Sequence, residues 1–144
     1  MLKQLMLVLA AGVLFAGCAQ TDAPKSQARL IETYWKAIEL EGKPVDVKAG
    51  TREPHMVLRS DKNAVSGYSG CNTFRGVYEI SGQSLHFKNM ASTLMACLPA
   101  GSDTEKNFLS AINATAAQRI SGETLELRDQ DGKVRARFES RYMK

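Results

Sequence analysis

Histidine is scarce in this sequence. His55 and His86 are the only two in 144 residues, which disfavours a multi-histidine metal centre. Internal repeats and low-complexity tracts are absent, so a solenoid or a disordered array is excluded. Basic runs interleaved with stacking aromatics are also missing, which argues against nucleic acid as a partner. There are three cysteines, an odd number, so any internal pairing leaves one thiol to explain. What is present is ordinary for a folded domain: 44% hydrophobic residues, 24% charged residues and a formal charge of +4. The length suits one domain.

The long apolar run is confined to the N-terminus. Lys3 is followed by an apolar stretch from Leu5 to Ala16, and no further charge occurs before Asp22. The stretch is shorter than the roughly 20 residues of a stable membrane span, and it reads as a secretory signal. It ends Phe15-Ala16-Gly17-Cys18. This resembles the bacterial lipoprotein signal, in which small residues lead to a cysteine that is acylated and becomes the mature N-terminus. Phe15 stands where that signal usually has Leu. The resemblance implies a signal peptide over residues 1–17, a lipid on Cys18 and, with Ala19 rather than Asp following, delivery to the outer membrane facing the periplasm. Two or more acyl chains anchor stably where one does not. Residues 18–29 then form the lipidated cysteine and a small, polar, flexible tether. Loss of residues 1–17 removes only Lys3 among the charged side chains, leaving a mature chain of +3.

The folded part is expected over residues 30–142. Residues 34–41, His55–Ser60, 64–66, Gly76–Ile80, Leu85–Lys88, Gln118–Ile120, Thr124–Arg128 and Lys133–Glu139 read as short strands. Polar turns separate them, and Asp131-Gly132 carries the strongest hairpin signal. One helix is indicated: Ser102-Asp103-Thr104-Glu105 has the form of a capping box, and Phe108, Leu109, Ile112 and Ala116 recur at helical spacing. The expected fold is α+β, a small curled or barrel-like antiparallel sheet with one packed helix. Gly67, Gly70 and Gly76, with Asn72, point to a fixed irregular loop within residues 65–78.

Two stretches carry a family resemblance. Ser66-Gly67-Tyr68-Ser69-Gly70-Cys71-Asn72-Thr73-Phe74-Arg75-Gly76-Val77-Tyr78 runs without a gap along the pattern of the META domain of HslJ-like heat-shock lipoproteins. Ser92-Thr93-Leu94-Met95-Ala96-Cys97 matches that family's second motif, and Trp35 with Gly42-Lys43-Pro44 matches its first strand. The resemblance implies a compact β-rich domain with a packed helix, a place in the bacterial cell envelope, and links to heat shock, stress response and novobiocin tolerance. The family has no established catalytic residues, so none is carried over and no enzymatic activity, cofactor or metal is expected.

Cys71 and Cys97, 26 positions apart, would most often pair as a disulfide in an oxidising envelope. Two buried free thiols, or a catalytic or metal role, are the other readings. The histidines read as strand-surface or structural residues. Asp129, Asp131 and Gly132 superficially resemble a calcium loop, but Leu127 and Phe138 then fall on its first and last ligand positions, so calcium is rejected. Asn113-Ala114-Thr115 is a chance glycosylation match inside the expected helix. Lys133, Arg135, Arg137 and Arg141 form a basic row at strand spacing, either a solvated face or a contact for an anionic envelope component. The function expected is non-catalytic binding or stabilisation of an envelope component, with the membrane reached through the lipid. A periplasmic inhibitor of a hydrolase such as lysozyme is one alternative, although +3 would repel a cationic lysozyme. A thiol-dependent enzyme is the other.

Overall fold

The computed structural model describes residues 26–141. The signal segment 1–17, Cys18, residues 19–25 of the expected tether and Tyr142 lie outside the described residues.

The chain alternates inward apolar and outward polar side chains over short spans, which is the pattern of a sheet with one buried face. Nine strands result: β1 (Tyr34–Leu40), β2 (Lys43–Pro44), β3 (His55–Leu58), β4 (Ala64–Tyr68), β5 (Thr73–Ser81), β6 (Ser84–Ser92), β7 (Ala117–Ser121), β8 (Thr124–Arg128) and β9 (Val134–Arg141). One helix, α1 (Pro99–Ala114), is inserted between β6 and β7. The strand ladders are antiparallel, and β9 returns to pair with β1 along Tyr34–Leu40, so the sheet closes into a ring. The expected α+β architecture is the observed one. The thinnest seam of the ring is between β6 and β7, joined through Ser84 and Ala117.

The inward residues form one core. Trp35, Leu58, Tyr78, Leu85, Leu127 and Phe138 are buried in it, and α1 contributes Phe108, Ala111 and Ile112. The Phe108 ring stands edge-on to Phe138 at 5.8 Å and tilted to Phe74 at 5.2 Å, so one helix residue links two sides of the ring. Trp35 is wholly buried and its indole N–H donates to the Leu30 carbonyl at 2.9 Å. The body begins slightly before residue 30: the Ala28 N–H donates to the Gly122 carbonyl at 2.8 Å, and Ala28 packs against the core.

Three local expectations need correction. The helix starts at Pro99 rather than at Ser102, and Leu98, with no side-chain acceptor, is its N-cap. Proline suits the first helical position because the N–H it lacks has no helical partner there. The Ser102 N–H already donates to the Leu98 carbonyl, so Ser102 sits inside the helix and Glu105 is free for another task. Ala116 falls beyond the helix end at Ala114. The Gly-rich stretch is mostly regular, since β4 and β5 pair from Ala64–Val77 to Tyr68–Thr73, and irregularity is limited to the Ser69–Asn72 turn and a register shift towards β6 between Arg75 and Val77. Finally, Asp131-Gly132 is not a two-residue hairpin turn. Residues 129–133 form a longer connection, in which the Asp129 carboxylate accepts from the backbone N–H groups of Asp131 and Lys133.

Candidate functional site

Most residues of the two motifs build the fold. Tyr78 is buried and its hydroxyl donates to the Arg59 carbonyl at 3.1 Å. Phe74 lies in the core, whereas Ser66 is on the exposed face of β4. Gly67 faces the neighbouring strand at a distance no side chain allows: a Cβ there would stand 2.0 Å from the His55 carbonyl oxygen. Gly76 lies at the irregularity between Arg75 and Val77, with the Met90 sulfur in the space a Cβ would take. Gly70 has φ +113°, and a Cβ there would meet the Thr104 side chain of α1 at 2.7 Å. The glycines therefore set close approaches between strands and between the β4–β5 turn and the helix.

Asn72 is the centre of the turn. It is buried, and its amide orientation is fixed because Oδ1 accepts from the Met95 N–H at 2.8 Å and from the Thr93 hydroxyl at 2.9 Å. Its Nδ2 donates to Glu105 Oε2 at 3.0 Å and faces the sulfurs of Cys71 and Cys97 at 3.6 Å. Ser69 Oγ stands 2.9 Å from both the Asn72 carbonyl oxygen and Glu105 Oε1, sharing one hydrogen between them. Thr93 Oγ1 also accepts from the Thr73 N–H at 3.2 Å, and Ser92 Oγ donates to the Thr93 carbonyl. One side chain thus ties together the turn, the segment after β6 and the helix. A buried amide with its polar groups satisfied in this way locks a conformation.

Cys71 and Cys97 form a disulfide, with Cα atoms 5.8 Å apart. With the Glu105 carboxylate, their sulfurs lie within 4.8 Å of one another, a donor set that suits a soft cation only when both sulfurs are thiolates. In the disulfide neither sulfur is one. Sequence reasoning assigned Glu105 to capping and missed its place beside the sulfurs. The available signal was Pro99, which already marks a helix start three residues before Ser102.

The disulfide walls a mostly apolar groove of about 430 Å³ between residues 45–54, the β4–β5 turn and residues 95–104. Val47, Pro54, Tyr68, Met95, Leu98 and Ala100 line it. Leu98 at 83% and Met95 at 61% exposure open onto it, and Leu94 beside them is 97% exposed. Scattered exposed apolar residues are normal, but three within five positions, two of them lining the groove, make a patch. Arg52 lies over the Tyr68 ring, 4.7 Å from its centroid.

The basic row on β9 is electrostatically occupied. Arg135 forms a two-pronged ion pair with Glu41 at 2.9 Å and reaches Asp129 at 3.2 Å. Arg137 pairs with Glu39 and Glu126, and Arg141 with Glu139 at 3.1 Å. The Arg128 and Arg137 guanidiniums hold the Glu126 carboxyl below its ordinary range. Lys133 lies just before β9, at the end of the 129–133 connection. His55 is buried, stacked on Tyr34 at 4.4 Å, and its Nδ1 donates to the Glu53 carbonyl at 2.9 Å. Burial pushes its pKa down. His86 lies on the exposed face of β6, opposite Glu79.

The chain has similar relatives among solved structures. A protein from Burkholderia xenovorans, determined by NMR, is 22% identical with a TM-score of 0.64, over 79% of this chain and 85% of that one. A second NMR structure is 22% identical with a TM-score of 0.60, over 76% and 90%. A DUF4847 family protein from Bacteroides vulgatus is 16% identical with a TM-score of 0.51, over 63% and 61%. These likenesses show a shared fold. No curated protein matches the chain. Residues 28–142 match the META domain from the first strand to the last, with the Ser66–Tyr78 and Ser92–Cys97 motifs packed against each other around Asn72, and the chain belongs to the META domain family.

Proposed function

We propose that this META-family protein is a bacterial envelope lipoprotein that binds another envelope component without chemically changing it, as part of the response to heat or antibiotic stress such as novobiocin. In this reading acylated Cys18 holds the chain to the outer membrane and the domain faces the periplasm. The observation that carries the binding role is the apolar groove beside the Cys71–Cys97 disulfide, with Met95 and Leu98 exposed at its mouth. A groove of this size and lining is what a binding site requires. The non-catalytic part is supported by the side chains near it. The two sulfurs are bonded to each other, Asn72 and Ser69 are committed to internal hydrogen bonds, and His55 is buried against Tyr34. A thiol-dependent enzyme would need a thiolate that this arrangement withholds. The membrane attachment rests on the Ala16-Gly17-Cys18 signal.

The test is chemical cross-linking in heat-stressed envelopes, followed by capture of the lipidated chain. Wild type is expected to hold a defined envelope component that a Met95→Asp/Leu98→Asp chain of equal abundance loses. Labelling with radioactive palmitate is expected in wild type and absent in Cys18→Ser. Equal capture by both chains would remove the groove from the account.

A further inference from the structure

The cations of β9 are matched by carboxylates, whereas those of the groove are not. Among the described residues neither Arg52 nor Lys48 forms an ion pair, and both line the groove, with Asp46 as its one acid. The guanidinium of Arg52 is held in place by stacking on Tyr68 rather than by a counter-charge. Apart from Thr51 and Thr104, the rest of the wall is mostly apolar, running from Val47 and Pro54 to Met95 and Leu98. An apolar trough with a pre-positioned cation at one side is complementary to a molecule with an apolar body and an anionic head. Its volume of about 430 Å³ is on the scale of small-molecule sites rather than of a protein interface.

We infer that the groove binds a single-chain amphiphile with a carboxylate head, its chain lying against Val47, Pro54, Met95 and Leu98 and its head meeting Arg52. The inference rests on the binding role proposed for the groove and deepens it. Charge selects the head. Lys48 and Arg52 against Asp46 leave one net positive charge, which complements a singly charged carboxylate better than a doubly charged phosphate head. A planar guanidinium also presents paired N–H groups to a planar carboxylate. Removing Arg52 leaves the apolar wall intact, so head and chain contributions are separable.

The experiment uses the full mature chain with Cys18→Ser, which keeps residues 18–144 free of lipid, and the fluorescent probe 11-(dansylamino)undecanoic acid. Saturable, blue-shifted emission is expected, with competition by dodecanoate. Arg52→Gln is expected to weaken the acid about tenfold and leave the methyl ester of the probe unchanged. Met95→Asp is expected to weaken both, with thermal melting showing that each variant is folded. Equal weakening of acid and ester by Arg52→Gln would overturn the anionic head. Stronger competition by a lysophosphatidic acid than by dodecanoate would overturn the carboxylate. Saturable binding insensitive to both substitutions would place the site elsewhere and overturn the assignment. No binding of either probe would overturn the ligand class while leaving the cross-linking test of the binding role intact.

Discussion

Asn72 Nδ2 donates to Glu105 Oε2 at 3.0 Å, joining the four-residue turn between β4 and β5 to the second turn of α1. The same amide accepts from the Met95 N–H, so one side chain also fixes the strand-to-helix segment that carries Met95, Cys97 and Leu98 to the groove. The motif's polar residues therefore act on the groove indirectly, through the backbone they hold.

Asn72→Ala is expected to destabilise the domain by about 2–4 kcal/mol, because Glu105 and the Met95 N–H lose their partner in a partly buried place. Glu105→Gln keeps an acceptor for Asn72 and is expected to cost about 1 kcal/mol. Urea midpoints of the three chains check the order.

Removing the disulfide is expected to cost about 3–4 kcal/mol, as the chain-entropy estimate for a crosslink of this span gives. Comparing thermal melts of wild type with and without reductant, and of Cys71→Ser/Cys97→Ser, checks it. Titration of unfolded, unreduced, lipidated protein is expected to find no free thiol.

Gly67→Ala is expected to disrupt the β3–β4 pairing, since the added Cβ meets the His55 carbonyl oxygen rather than a movable side chain. A loss of about 3 kcal/mol or more is expected. Ser66→Ala, one residue away on the exposed face, serves as the neutral control. Amide exchange along β3 and β4 reads the difference.

His55 makes stability depend on pH. Burial lowers its pKa in the folded chain below the ordinary 6.5. The unfolded state then takes up the proton first, so the stability contributed by neutral His55 is complete above about pH 6.5 and is lost progressively as pH falls through the folded-state value. His55→Phe, which keeps a ring against Tyr34, is expected to flatten stability between pH 6.5 and 5. Denaturant melts across that range provide the check.

How far the sequence reveals this molecule depends on whether the signal is local. Alternation announced most of the strands, though not the short β2 at Lys43–Pro44, and in β9 Ala136 and Phe138 face inward while Arg135 and Arg137 face outward as their spacing implied. The partners of those arginines were hidden, because Glu39 lies on β1 and Glu41 in the turn just after it, nearly a hundred residues away, and they become neighbours only when the ring closes. The helix was legible from Phe108 and Ile112, but its start was not, since Ser102 and Glu105 satisfy a capping pattern that Pro99 pre-empts. The groove could not be read at all: its two walls come from residues 45–54 and 95–104, segments with no shared pattern.

An anchored domain that works by binding at this groove should need the groove in the living cell. Survival of the deletion strain under heat and under novobiocin, with chromosomal re-expression of one chain at a time, tests it most directly. Rescue by wild type is expected, and loss of rescue with Met95→Asp/Leu98→Asp at equal abundance and with Cys18→Ser. Full rescue by the groove variant, folded and anchored, would contradict it.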